Sequence, residues 1–205
     1  MYTSRLYKQE DQQEINNFIR QNGFGILISQ GVERIVGTHL PLELSEDGSK
    51  LHAHISRANP QWKNLEADKE VLVIFTGPHT YISSSWYDHE NVPTWNYLAV
   101  HVYGTLRIIE GDELLHSLKQ LVNKYERHSK NPVTVEGMSP GYVEREMKGI
   151  VGFEITITKT EANYKLSQNR DQKNHAAIIS ELESSTDAAS HEVAAAMKKH
   201  PTKKP

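Results

Sequence analysis

Strict alternation of apolar and polar residues over most of Trp95 to Glu110 constrains this chain more than any other feature. Val100, Val102, Gly104, Leu106 and Ile108 alternate with His101, Tyr103, Thr105 and Arg107. A period of two places one set on each face of a strand, so this segment reads as a long β-strand with one face in the core. Gly104 sits in its middle, where a missing side chain permits a bend or a close backbone approach. Further strands are expected at Phe24 to Ser29, Arg34 to Leu44 and Lys50 to Ser56, joined through Gln30-Gly31 and Glu46-Asp47-Gly48-Ser49. Val71 to Phe75 reads as a buried strand punctuated by Gly77-Pro78, with extended chain resuming over Thr80 to Ser84. Ile150 to Thr158 closes the set with Val151, Phe153, Ile155 and Ile157 on one side. Many strands, short turns and few helices predict a mainly β (α+β) fold of the barrel kind.

Helices are expected at Glu10 to Gln21, where Ile15, Phe18 and Ile19 share a face, and at Asp112 to Glu126, which carries Leu114, Leu115, Leu118, Leu121 and Val122. The segment with Asn131-Pro132 and Ser139-Pro140-Gly141 reads as loop. From Asn174 onward, Ala176, Ile178, Ile179 and Leu182 suit a helix, and Ser184-Ser185-Thr186 breaks the pattern before Ala194-Ala195-Ala196. With 205 residues, the chain suits one barrel domain over residues 1–165. A C-terminal helical extension with a basic, flexible tail is expected over 166–205.

The chain has no cysteine, which excludes disulfides, thiolate catalysis and cysteine-held metal centres. The mean hydropathy of -0.61 is polar. No secretory apolar core follows Met1 and no apolar run is long enough to span a bilayer, so a soluble cytoplasmic protein is expected. A formal net charge of -3 opposes a general nucleic-acid binder. Lys198, Lys199, Lys203 and Lys204 form a local basic cluster, which is normally solvated.

Chemistry concentrates in His54-Ile55-Ser56-Arg57-Ala58-Asn59-Pro60-Gln61-Trp62-Lys63. Asn59-Pro60 reads as a helix start, with Asn as cap and Pro in the first helical position. Backbone N–H groups freed there, together with Ser56, Arg57 and Lys63, suit a phosphate, and Trp62 can wall an aromatic ligand. The same residues also make an ordinary strand, turn and capped helix with solvated charges. His52 and His54 share a strand face, yet no metal motif supplies a third ligand. Ser83-Ser84-Ser85 lacks the GxSxG context of a serine hydrolase.

Joined to Gly77-Pro78-His79-Thr80-Tyr81-Ile82-Ser83-Ser84-Ser85-Trp86-Tyr87 and Val92-Pro93-Thr94-Trp95-Asn96-Tyr97, this segment resembles the PaiB-type family of FMN-binding negative transcriptional regulators. The resemblance runs from Met1 to Lys165-Leu166-Ser167-Gln168-Asn169. It implies an FMN-binding split β-barrel, related to pyridoxine phosphate oxidases and flavin reductases, forming a homodimer with FMN between subunits. The family's regulatory label concerns sporulation and protease production. Cofactor-binding candidates are His54, Ser56, Arg57, Asn59, Gln61, Trp62 and Lys63, then Tyr81, Ser83, Trp86, Thr94, Trp95 and Gln168. Most of the aromatics among Trp86, Trp95, Tyr81, Tyr87 and Tyr97 pack the barrel, and some line a planar ring. Because a flavin brings its own redox chemistry, no catalytic acid or base is singled out. An FMN-dependent oxidoreductase is the alternative to a regulator, and a heme-binding split barrel is the second. No helix-turn-helix is evident, so direct contact with DNA rests on the family label alone.

Overall fold

The alternation resolves into seven strands in the computed structural model, which describes residues 1–65 and 69–202. They are β1 (Lys8–Gln9), β2 (Phe24–Gln30), β3 (Ile35–Leu44), β4 (Lys50–Ser56), β5 (Glu70–Ile82), β6 (Thr94–Ile109) and β7 (Ile150–Lys165). Five helices accompany them: α1 (Gln12–Gln21), α2 (Gly111–Glu126), α3 (Pro140–Lys148), α4 (Gln172–Glu183) and α5 (Ala188–Lys199). The strand order is β1-β7-β4-β3-β2-β5-β6, with an additional pairing of β7 to β6. Among the described residues, no helix is long and apolar enough to cross a membrane.

The chain falls into two compact units, and β5, β6 and β7 contribute residues to both. One unit comprises Ile19–Ile74 and Val102–Thr160. Its core is set by register. Leu51 lies opposite Ile155, Ala53 opposite Phe153 and Ile55 opposite Val151 across β4 and β7, while Leu42 faces Ala53 across β3 and β4. Opposed residues share a face, and all seven are buried. Gly104 is the close approach its position suggested, since a Cβ there would stand 2.3 Å from the Thr156 carbonyl oxygen. Gly152 plays the same part beneath α2, where a Cβ would meet Leu114 at 2.4 Å. The alternation of β6 slips at its end. Ile108 is exposed and Ile109 is turned in, packed against Gly152.

The outer face of this unit's sheet is unusually apolar. Ile26 lies opposite both His39 and Ile74, and Ile28 opposite both Gly37 and Leu72. At the margins, Phe24 is 65% and Ile35 69% exposed. Phe24 and Ile35 are exposed and Ile26, Ile28, Leu72 and Ile74 half-buried, and a partly exposed apolar patch of this kind marks interaction sites more often than ordinary solvated sheet does.

The other unit gathers Met1–Phe18, Phe75–His101 and the chain from Glu161. Phe75, Ile82, Val100, Leu166, Ile178, Val193 and Met197 are buried in it. Gly77-Pro78 does not interrupt β5, contrary to the sequence expectation. The β2 ladder ends at Ile74, so the N–H that Pro78 lacks removes no bond from it, and Gly77 leaves room for the Phe18 ring. After the Ser184-Ser185-Thr186 break, Asp187 accepts a hydrogen bond from the Ser190 amide and starts α5. Lys203 and Lys204 lie outside the described residues.

One helix was not anticipated. Ser139 at the N-cap and Pro140 in the first turn begin α3, within a segment expected to be loop. Four of its nine residues are charged and, apart from Pro140, Val143 and Met147 are its only aliphatic side chains, so apolar periodicity is a weak signal there.

Candidate functional site

Where β4 ends, the chain is tied to the start of β7 through Arg57. Its amide donates to the Gly149 carbonyl at 2.9 Å. Its side chain donates from Nε to the Lys148 carbonyl at 2.9 Å and from Nη2 to the Ile150 carbonyl at 2.8 Å. Arg57 thus satisfies carbonyls at the C-terminal end of α3, a natural position for a cation. The Trp62 indole donates to the Arg57 carbonyl at 2.9 Å, and its ring lies 5.8 Å from the guanidinium carbon and 6.0 Å from Lys63 Nζ. Two cations therefore gather around one indole. Among the described residues, neither is in an ion pair, and Ser56 stands exposed beside them.

The backbone here differs from the sequence expectation. Pro60–Asn64 is a five-residue 3-10 turn, and the nearby amides are consumed internally. The Ala58 amide donates to Ser56 Oγ, the Asn59 amide to the Ser56 carbonyl and the Gln61 amide to Asn59 Oδ1. These amides are not free for a phosphate, and so short a turn has little dipole. Any anion here must be held by side chains.

Gln61 is 2% exposed. Its amide nitrogen donates to Ser29 Oγ at 2.9 Å and to the Leu27 and Val36 carbonyls at 3.3 Å, while its oxygen accepts from Thr38. Asn59 Nδ2 donates to the same threonine at 2.9 Å. Both residues anchor the loop to β2 and β3, which positions Trp62 and Lys63. His54 faces outward from β4 and lines a cavity of about 290 Å³ between β4, α2 and α3, walled by Leu118, Val122, Met138, Val143 and Met147. Burial pushes its imidazole below the ordinary value, so it is held neutral.

The remaining candidates lie in the other unit. Trp95 is 53% exposed, with Tyr81 edge-on at 6.1 Å and His79 tilted at 6.1 Å. Trp95 and His79 also line a cavity of about 300 Å³ with Thr76, Gly77, Tyr97 and Leu98. Ser83 caps the short turn Ser84–Trp86, accepting from the Ser85 amide, and Trp86 is half-buried. Thr94 Oγ1 accepts from the Lys165 ammonium. Gln168 is buried, donating to the Tyr164 carbonyl at 2.6 Å and accepting from the Leu166 amide at 2.8 Å. That double bond to its own turn accompanies Ser167 in the left-handed region at φ 60°.

Sequence reasoning missed the buried carboxylate of Glu154. Register sets it opposite His52, whose Nε2 lies 3.1 Å away, and it also accepts from Arg107 Nε at 2.9 Å and pairs with Lys50 at 3.0 Å. Burial works to raise its pKa, but hydrogen bonds from Arg107 and Lys50 bring it below the usual carboxylate range. Its place on the outer face of β7, amid the apolar Val151-Gly152-Phe153 and Ile155, was the available signal. His52 is thereby engaged in a structural network, and among the described residues no three His, Asp or Glu side chains form a metal-holding group.

The strand order and the closing pair of β7 with β6 define a split-barrel fold. Among solved structures, the FAD and heme binding protein from Mycobacterium smegmatis matches with a TM-score of 0.61 at 12% identity, covering 83% of this chain and 79% of that one. The flavocytochrome from Azotobacter vinelandii matches at 0.58 and 15%, over 85% and 78%. Residues 1–159 match the family model described as "Putative FMN-binding domain". The chain is 43% identical over 199 residues to the protein named "Protease synthase and sporulation protein PAI 2" of Bacillus subtilis (strain 168), covering 96% of each. It is also 30% identical to an uncharacterized protein of Emericella nidulans, over 92% of this chain and 93% of that one. The chain belongs to the FMN-binding domain family, in the PaiB-type branch its motifs resemble.

Neutral His54 makes stability depend on pH. The unfolded imidazole takes up a proton near pH ~6.5, whereas the folded one resists it to lower pH. This contribution is present above the unfolded pKa and lost as pH falls through it toward the folded value. In urea melts between about pH 7 and pH 5, the native protein should lose more stability than His54→Phe. An NMR titration placing His54 at or above its ordinary value would refute this.

Proposed function

We propose that this chain is an FMN-binding PaiB-type regulator, with the cofactor phosphate held by Ser56, Arg57 and Lys63. The observation that carries the reading is the pair of cations without carboxylate partners around Trp62, on a loop that Gln61 and Asn59 anchor. Arg57 keeps Nη1 unused by the carbonyls it clips, Ser56 has a hydroxyl proton to donate, and Lys63 makes no hydrogen bond within the chain among the described residues. These groups suit an oxyanion by charge-assisted hydrogen bonding. When bound, FMN supplies electron-transfer chemistry through its ring. Within the same unit, His54 is the candidate for a further contact from β4.

FMN affinity should drop by about 10- to 100-fold in Lys63→Met and Arg57→Gln, the scale of one charge-assisted bond, while riboflavin affinity changes little. Lys63→Met is the cleaner variant, because Arg57 also ties the loop to β7. Fluorescence titration of both ligands decides the matter, and equal losses would reject the phosphate assignment.

A homodimer accompanies this reading, and its seam is assigned to the outer face carrying Phe24, Ile26, Ile28, Ile35, Leu72 and Ile74. The motivation is aliphatic surface that a lone sheet would leave in water. Sedimentation should give two chains per particle for the native protein and one for Ile35→Glu. A native monomer would end this assignment.

The regulatory role, on sporulation and protease genes, is carried by the name of the Bacillus subtilis relative, and we place it without direct DNA contact. The chain is acidic overall, and the described tail cations are spent. Lys198 pairs with Glu183, and Lys199 donates to Glu14 at 2.9 Å. Anisotropy titrations should show weak, salt-sensitive binding of equal strength to promoter and scrambled duplexes. Tight promoter-selective binding would restore direct repression.

A further inference from the structure

Lys165 and Arg170 flank the turn that ends β7, and both are half-buried cations. Among the described residues, neither forms an ion pair, although Asp88 and Asp171 lie in the same unit. Asp88 is taken by Lys173, His89 and Asn174, and Asp171 by Asn174. Lys165 donates to Thr94, and Arg170 stacks over the Tyr87 ring with its guanidinium carbon 5.1 Å from the centroid. The Tyr87 hydroxyl is buried with no hydrogen-bond partner, on a residue only 9% exposed. Tyr7 adjoins the group, since its phenol feels the charge of Arg170 and the neighbouring Tyr87.

This arrangement is unfavourable without a ligand. Two like charges share a partly desolvated place, and burial together with Arg170 pulls the Lys165 ammonium below its ordinary pKa. A buried hydroxyl with no partner adds a further cost, of the kind that a bound ion or water relieves. A dianion answers all of it. The guanidinium presents a planar fork, the ammonium a point charge, and the phenol a neutral donor, which together are the donor set of a phosphate receptor.

We propose that Lys165, Arg170 and Tyr87 form a second oxyanion site, specific for a dianionic phosphate group. It is separate from the flavin phosphate assigned to Ser56, Arg57 and Lys63, and its ligand is a phosphorylated small molecule. Through Thr94, which holds Lys165, such a ligand reaches the segment carrying Trp95, so occupancy of this site is linked to one of the aromatic ring candidates.

The test is calorimetric titration of the full chain with inorganic phosphate in the millimolar range, done in the Lys63→Met background so that binding at the flavin loop is weakened without cutting its tie to β7. Binding should persist there and weaken by at least about tenfold when Arg170→Gln or Lys165→Met is added, the loss expected for one charge-assisted contact. Tyr87→Phe should raise the melting temperature in phosphate-free buffer, because it removes a buried hydroxyl that has no partner, while reducing the further rise that phosphate produces. Phenyl phosphate should compete with phosphate, and benzoate should bind far more weakly. Phosphate binding that survives both Arg170→Gln and Lys165→Met, or benzoate binding as tightly as phenyl phosphate, would overturn the proposal. Loss of phosphate binding in Lys63→Met alone would overturn it too, whereas failure of FMN to bind would leave this result standing and reject only the flavin reading.

Discussion

The antiparallel register between β4 and β7, running from Lys50 opposite Thr156 to Ser56 opposite Ile150, is the constraint on which the rest depends. It sends Leu51, Ala53 and Ile55 inward with Ile155, Phe153 and Val151. The same register sets His52 against Glu154 on the outer face and puts Gly152 beside His54, where α2 comes down onto the sheet. A slip of one residue would exchange these faces, burying charges and exposing the core. It would also carry Arg57 away from the three carbonyls at the start of β7 that its amide and side chain satisfy. The geometry of the candidate loop is therefore a consequence of sheet pairing.

Charge is distributed with a clear division. Arg107 and Lys50 are committed to the buried Glu154, and Lys124 to Glu43. A buried carboxylate is tolerable only with such partners, so these cations serve the fold. Arg57 with Lys63, and Lys165 with Arg170, are different. Arg57, Lys63 and Arg170 lie beside aromatic rings, Lys165 ends β7, and none of the four has a carboxylate partner among the described residues. Cations left over after the fold has been satisfied are the natural receptors for anionic ligands, which is why both sites are read in terms of phosphate.

The strands were largely legible because period-two alternation is a local property. It located β4 to the residue and β6 to within one at each end. Local signals failed where packing overrode them. Gly77-Pro78 has the composition of a break, yet β5 runs through it because the Phe18 ring fills the space above Gly77. Ser139-Pro140 carried a helix-start signature, but the apolar stripe of α3, Val143 and Met147, is only one turn long and too brief to mark a helix against its charged neighbours. Asn59-Pro60 reads correctly as a cap and start, but the sequence gives no sign that the helix stops after a short 3-10 turn, where Gln61 is drawn into β2 and β3.

By itself the sequence determined the strand-rich class, the family motifs and the loop in which Ser56, Arg57, Trp62 and Lys63 meet, because each depends on residues near one another in the chain. Only the tertiary structure decided what those residues are free to do. Gln61 and Gln168, two polar residues of the sort that contact cofactors, proved to be buried and bonded to backbone or neighbouring side chains. Lys165 and Arg170 proved to lack carboxylate partners among the described residues, beside a buried, unpartnered phenol. Whether a polar group is spent or available depends on partners distant in sequence, and hydrogen-bond satisfaction is settled only when the strands and helices that supply those partners have packed.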